Sequence, residues 1–283
     1  DFIIVLFMDM AMLENRFSLT LDYYNRDTYD ILMRLPVSVL YGREAPFQNA
    51  GKVNNKAIEA QLGYNQQFGD WKINSVFNAA YNENQVVDIR NEDIMVWQNG
   101  YSFLQKGKPI NSFGGYEVLG IYQTEEEVKN SAVVNRDRVG PGDLIYKDQN
   151  GDNKIDGADR VYLGSWTPKW MFGANIGLSW RNFDLGVQFS GAAGVKGYLQ
   201  TETIGGLAGN TCKPTTLFSD SWDAETNPDG KFPRPLSSWS QNDSSTPSSF
   251  WIIDASYLRF KNIQLSYTLP DNLTQQRGLS DVK

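Results

Sequence analysis

From Trp71 to Tyr81 the chain alternates without a break. Trp71, Ile73, Ser75, Phe77, Ala79 and Tyr81 share one parity; Lys72, Asn74, Val76, Asn78, Ala80 and Asn82 share the other. Successive strand residues point to opposite faces, so this run has one greasy face and one polar or small face. The pattern repeats in a hairpin. Trp170, Phe172, Ala174, Ile176, Leu178 and Trp180 oppose Met171, Gly173, Asn175, Gly177, Ser179 and Arg181. The return run sets Phe183, Leu185, Val187 and Phe189 against Asp184, Gly186, Gln188 and Ser190. An apolar band edged by aromatics and backed by a wet face is the mark of a transmembrane β-barrel strand. Trp71 to Tyr81 also matches the roughly 9–11 residues a tilted strand needs to cross a bilayer. Soluble sandwiches alternate too, so this pattern alone leaves both architectures open.

The connections narrow the choice. Phe2–Met12 reads as a first strand of poor alternation, and Phe17, Leu19, Leu21 and Tyr23 mark a second. Ile58, Ala60, Leu62 and Tyr64 begin a third, Trp71 the fourth, the hairpin gives two more, and 254–269 a seventh. The parity of the seventh slips near Lys261-Asn262, as at a β-bulge. Glu14-Asn15, Gly69-Asp70 and Arg181-Asn182 read as tight turns, whereas 31–55, 85–168 and 195–250 read as long polar loops. Short and long connections therefore alternate, the rhythm of an outer-membrane barrel with tight periplasmic turns and extended extracellular loops. Loops beyond about 15 residues are uncommon in compact soluble domains. Seven is an odd count where single-chain bacterial barrels are even, so further strands are expected outside this stretch.

Composition removes several functions. A net charge of −7 and a pI near 4.8 leave no basic stripe for nucleic-acid phosphates. Histidine is absent, which excludes His-based triads and His metal ligands within the chain. Cys212 stands alone and forms no internal disulfide. No apolar run approaches the 18 or so residues of a spanning helix. Glu125-Glu126-Glu127 reads as a solvated helical face, and Asn227-Pro228-Asp229-Gly230 as a turn.

One loop carries a metal-ligand pattern. Asp148, Asn150, Asp152, the Lys154 carbonyl, Asp156 and Asp159 fall at positions 1, 3, 5, 7, 9 and 12 of an EF-hand-type loop. Hard calcium takes six to eight oxygens on a tightly turned backbone, which points to a structural Ca²⁺. Asn153 stands where the sharp turn usually has Gly, and Asn tolerates that left-handed geometry. Asp159 is shorter than the usual Glu, which keeps magnesium or weak calcium binding open; the competing reading is an Asx-rich turn with no ion. A protein-docking module built on such loops needs a second copy, and the sequence has none.

Several blocks resemble a known family. They are Gly142-Asp143 with Tyr146 and Asp148 to Asp152, then Asp156, Asp159-Arg160, Gly164 and Thr167-Pro168-Lys169. Asn49-Ala50-Gly51-Lys52-Val53 and Asn55-Lys56 precede them; Asn182-Phe183-Asp184-Leu185, Gly191 to Gly194 and Tyr257 to Pro270 follow. In this order they resemble the SusC/RagA family of TonB-dependent outer-membrane transporters, plugged barrels of the 22-strand class. The resemblance implies a C-terminal portion of the barrel over residues 1–283, about strands 14–20, with plug, TonB box and final strands lying elsewhere. It further implies import of oligosaccharides or peptides under a SusD-like surface lipoprotein, in a dimer of such pairs. Energy would come from the TonB–ExbB–ExbD complex acting on the plug.

The aromatics divide accordingly. Trp71, Tyr81, Trp170 and Trp180 at strand ends suit a membrane girdle better than sugar platforms. Trp97, Tyr116, Tyr122, Trp222, Trp239 and Trp251 in the loops are candidates for substrate contact, loop packing or a lid partner. Against the transporter stands a soluble, calcium-binding all-β carbohydrate-binding or hydrolase domain of a secreted protein. The two differ in where Phe172, Ile176, Leu178, Phe183, Leu185 and Phe189 go: outward to lipid, or into a dry core.

Overall fold

The structure, a computed structural model, describes residues 1–34, 40, 42–44, 46–89, 96–97, 100–110, 112–134, 137–199, 219–235 and 246–269. β1 (Phe2–Met12), β2 (Phe17–Arg34), β3 (Phe47–Phe68) and β4 (Trp71–Ile89) form an antiparallel meander. A first excursion carries β5 (Val96–Trp97), β6 (Ser102–Leu104), β7 (Ser112–Tyr116), β8 (Val118–Ile121), α1 (Glu125–Asn130), β9 (Leu144–Tyr146) and β10 (Arg160–Ser165). The hairpin β11 (Trp170–Trp180) and β12 (Phe183–Ala193) follows. A second excursion holds β13 (Lys196–Tyr198) and β14 (Ile252–Asp254) before β15 (Tyr257–Tyr267). β1, β2, β3, β4, β11, β12 and β15 make one seven-stranded sheet in chain order, so both excursions leave and rejoin between neighbouring strands.

Register aligns the alternation across β2, β3, β4, β11, β12 and β15, while β1 pairs in register but carries Ile3, Val5 and Phe7 on the other face too. In one row Leu6 faces Tyr23, Tyr23 faces Ile58, Ile58 faces Tyr81 and Tyr81 faces Trp170. Nearer the turns, Trp71 faces Trp180, Trp180 faces Phe183 and Phe183 faces Tyr267. Between these rows the same face carries Leu62, Phe77, Ala174, Ile176, Leu185 and Ile263. None of the six residues that separate lipid from dry core is buried: Phe172 and Phe183 are 36% and 44% exposed, and the others are half-buried. Leu265 on β15 is 71% exposed. No second protein layer covers this face among the described residues, which overturns the soluble-sandwich alternative. The aromatic rows are in contact, with Trp71 and Trp180 stacked at 5.6 Å and Tyr81 against Trp170 at 4.8 Å. Ten residue steps separate them along a strand, roughly 25 Å of height at usual barrel tilt, the depth of an outer-membrane apolar band.

The turns obey the sequence expectations. Leu13, Glu14 and Asn15 take left-handed backbone (φ 52, 57 and 66), as do Gly69 (φ 57) and Arg181 (φ 52). A non-glycine residue in that region needs support. Arg181 finds it in the neighbouring turn, donating its backbone N–H to the Asp70 carbonyl (3.2 Å) and Nε–H to Asp70 Oδ2 (2.8 Å). The slip in β15 is a bulge at Lys261: Gln188 faces Asn262 while Phe189 faces Phe260.

The loop boundaries are corrected. Where 31–55 reads as a loop, β2 continues to Arg34 and β3 starts at Phe47 rather than near Ile58; β4 likewise continues past 85 to Ile89. Alternation stops at Tyr23, Ile58 and Tyr81 because hydrocarbon stops there, but pairing does not stop. Above the aromatic row the strands are joined by polar side chains. Asn54 donates to Asn25 (2.6 Å) and Asp27 (2.7 Å), Asn84 donates to Asn55 (2.6 Å), and Lys52 pairs with Asp27 at 3.1 Å. The inner face of this ribbon buries Ala50, Val53, Val86 and Ile89 against Leu104 and Ile110 of the first excursion.

The two faces give a paired prediction. Ile176→Arg, mid-band on the apolar face, should cost about 2–4 kcal/mol in folding into lipid vesicles. Asn175→Arg, one residue away on the wet face, should stay within about 0.5 kcal/mol. Equal costs at both positions would mean that the apolar face does not meet hydrocarbon.

Candidate functional site

The wet face of the sheet is the wall of the candidate conduit. It carries Thr20 beside Gln61 and Asn78, then Asn74 and Asn175, then Gln188 and Asn262, an array of amides and hydroxyls with few cations. Asp22 lies directly opposite Glu59 on this face. A recess of about 740 Å³ opens here, with Thr20, Asp22, Glu59 and Gln61 on one wall and Met171, Ser190 and Tyr257 on the other.

At the end away from the tight turns the excursions fold over one another. Tyr116 N–H donates to the Pro247 carbonyl (2.9 Å), and Val118 N–H to Ser249 Oγ (2.8 Å). Trp222 Nε1–H donates to Gln123 Oε1 (2.9 Å). Asp143 has no exposure, yet it receives the Arg234 guanidinium through two bonds (2.8 and 2.9 Å) and the Gly140 N–H (2.9 Å). Those bonds hold the Arg234 pKa above its ordinary value. Gly142 sits at φ 88 beneath the Trp222 ring, where a Cβ would collide. Tyr116, Leu144, Tyr146 and Ile155 form a small core with Phe250 packed on it; burial pushes the Tyr146 phenol up. Of the loop aromatics, Tyr116, Tyr122, Trp222 and Trp251 are buried and therefore pack the excursions together rather than facing a ligand. The side chain of Trp97, and Trp239 and Cys212 entirely, lie outside the described residues. α1 carries the acidic run as expected, with Thr124 Oγ1 capping Glu127 N–H (3.2 Å).

The carboxylate loop folds on its own donors. Asp148 accepts from Gly151 and Asn153 N–H (2.7 and 2.8 Å), Asn150 from Asp152 (2.9 Å), and Asp152 from Lys154 (2.9 Å). Asn153 takes the left-handed backbone at φ 64. Asp156 caps a short 3₁₀ turn through Ala158 N–H (2.8 Å). Asp159 is fully buried and accepts from Gln149 and Asp156 N–H (2.9 and 2.8 Å). Asp148, Asn150, Asp152 and Lys154 thus lie along the outer turn, Asp156 at a helical cap and Asp159 beneath. No three acidic side chains gather so as to hold a metal ion among the described residues. The loop keeps its turned shape through Asx turns, with Asp148, Asn150, Asp152, Lys154, Asp156 and Asp159 carried on that one loop. Gln149 and Lys147 also reach Glu117 (2.8 and 3.1 Å), and these bonds, Gln149 first, lower its pKa.

Asp159→Ala should strip two part-buried N–H groups of their buried acceptor, cost about 1–3 kcal/mol locally and expose 148–160 to protease. If the Asp148–Asp159 spacing holds a structural Ca²⁺, added calcium should slow cleavage of the wild-type loop and chelator should reverse it; an unchanged rate would count against the ion.

Comparison with known proteins fits this geometry. The family described as TonB dependent receptor-like, beta-barrel matches residues 10–279. TonB-dependent receptor P3 of Formosa agariphila is 30% identical over 285 residues, spanning 98% of this chain and 28% of that protein. TonB-dependent receptor SusC of Bacteroides thetaiotaomicron is 22% identical, over 92% of this chain and 25% of that protein. Among solved structures, the RagAB peptide transporter superposes with a TM-score of 0.72 at 23% identity, covering 96% of this chain and 29% of that one. The chain thus spans between a quarter and a third of the length of these relatives. It belongs to the TonB-dependent receptor β-barrel family, proteins of the outer membrane.

Proposed function

We propose that this chain forms part of the barrel wall of an importer that carries oligosaccharides or peptides across the outer membrane, driven by the TonB complex. The observation that supports it most is the two-faced sheet from β2 to β15: apolar side chains from Tyr23 to Ile263 on one face, and Thr20, Gln61, Asn78, Asn175, Gln188 and Asn262 on the other. The first layer solvates the wall in lipid. The second offers hydrogen bonds without a dominant charge, the chemistry suited to neutral polyhydroxy or amide-rich cargo. The chain's part is passage and recognition; no bond is made or broken.

The solved relatives are described as a peptide importer in closed and open states, and SusC is among the curated ones. They support a SusD-like surface lipoprotein as partner, seated at the end where both excursions project. A structural Ca²⁺ on Asp148, Asn150, Asp152, the Lys154 carbonyl, Asp156 and Asp159 would pin that loop at the rim and take no part in passage itself.

In cells expressing the full-length protein, uptake of fluorescent oligosaccharide and peptide pools should fall to background when a protonophore collapses the proton gradient or when TonB is deleted. Energy-independent passage, or hydrolysis of either pool by the purified protein, would overturn the proposal.

A further inference from the structure

We infer that the two long excursions form one cooperative cap, clasped by the buried Asp143–Arg234 pair, so that an event at either excursion is felt by both. They are separated in sequence by the β11–β12 hairpin, yet among the described residues their packing is shared. The small core of Tyr116, Leu144, Tyr146 and Ile155 is completed by Phe250 of the other excursion. The Tyr101 ring stacks on Tyr198 at 4.8 Å.

Asp143 has a fully buried carboxylate, whereas Arg16–Glu14, Arg26–Asp1, Arg34–Glu44, Lys52–Asp27, Lys147–Glu117, Arg181–Asp70 and Lys196–Asp254 are partly or largely exposed at both ends. Its geometry is bidentate, with the Gly140 N–H completing the shell. The Arg234 backbone N–H donates to the Gly142 carbonyl at 2.8 Å, which fixes the arginine at both ends. Three glycines let the second excursion approach. A side chain at Gly142 would strike Trp222, one at Gly115 would strike the Pro247 backbone, and Gly140 lies under the Arg234 guanidinium. Removing one partner of such a pair leaves a buried, uncompensated charge, so losing Arg234 destabilises the joint from both sides. Local opening then proceeds as a unit of both segments.

The inference concerns the cap alone and holds whatever passes beneath it; its bearing on import rests on the function proposed above. The test is hydrogen exchange on the full-length protein in detergent micelles, with wild type, Arg234→Met and Arg234→Lys. In Arg234→Met, the amides of 116–123 and 142–146 in the first excursion and 222–234 and 249–254 in the second should speed up together, by about 100-fold. Amides of 72–80 and 171–190 in the sheet should be unchanged, which shows that the barrel wall is folded. Arg234→Lys, which keeps the charge but loses the fork, should fall between the two. Acceleration confined to 222–234, with 116–123 and 142–146 as slow as in wild type, would overturn the inference. So would acceleration of the two segments by unrelated factors. Failure of uptake with coupled exchange intact would count against the import reading and leave the cap standing.

Discussion

Hydrocarbon offers no hydrogen bonds, so a strand that crosses it must satisfy its backbone sideways, residue by residue, from its neighbours. The remaining features of this sheet follow from that constraint. The pairing between Trp71–Tyr81 and Trp170–Trp180 runs through eleven successive partners without a gap, and so does that between β11 and β12. The irregularities sit elsewhere. The bulges between β2 and β3 and between β3 and β4 lie above the aromatic row. The one at Lys261 falls within the band, where the flanking pairs Phe189–Phe260 and Val187–Ile263 keep the apolar face aligned on both sides of it.

A ladder with strict partners also explains what could be read from sequence. Within the band, one face must be apolar and the other wet, so residue identity reports orientation directly. The parities of Phe17–Tyr23, Trp71–Tyr81, Trp170–Trp180 and Phe183–Phe189, and even the displaced parity of β15, were legible for that reason. Outside the band the medium no longer enforces a difference between faces. β2 and β3 continue as a ribbon beyond Tyr23 and Ile58 with Asn25, Asp27, Asn54 and Asn55 joining strands by side-chain hydrogen bonds. Such residues are poor strand formers by propensity, and they mask the continuation. The end of alternation marks the edge of the membrane, not the end of the strand.

The excursions were least legible, and the reason is again physical. Their order depends on partners far apart in the chain: Asp143 with Arg234, Val118 with Ser249, Gln123 with Trp222. Nothing local announces Arg234, which stands between two prolines in a polar stretch. Gly142-Asp143 did stand out as part of a recognisable block, but its role as one half of a buried pair was not readable from one side. The carboxylate loop shows the opposite limit. Its spacing was plain, yet spacing alone does not separate side chains that converge on a cation from side chains that turn back on their own N–H groups. Asp159 is buried under the loop and serves Gln149 and Asp156, a role its position in the spacing does not announce.

Burial of these loop groups follows from size. A segment of a few dozen residues has too much surface for its volume to hold a core without help, which is why very small domains lean on disulfides or metals. The described part of the cap contains no cysteine. Pooling apolar side chains from both excursions is the route the structure displays: Phe250 closes the core begun by Leu144 and Tyr146, and Trp222 covers the backbone at Gly142. Pooling has a corollary for the barrel below. Because one excursion leaves between β4 and β11 and the other between β12 and β15, a shared core spans the rim over that hairpin and ties its two sides together. A rim held in this way resists splaying where the strands leave the lipid and lose the apolar layer that aligns them.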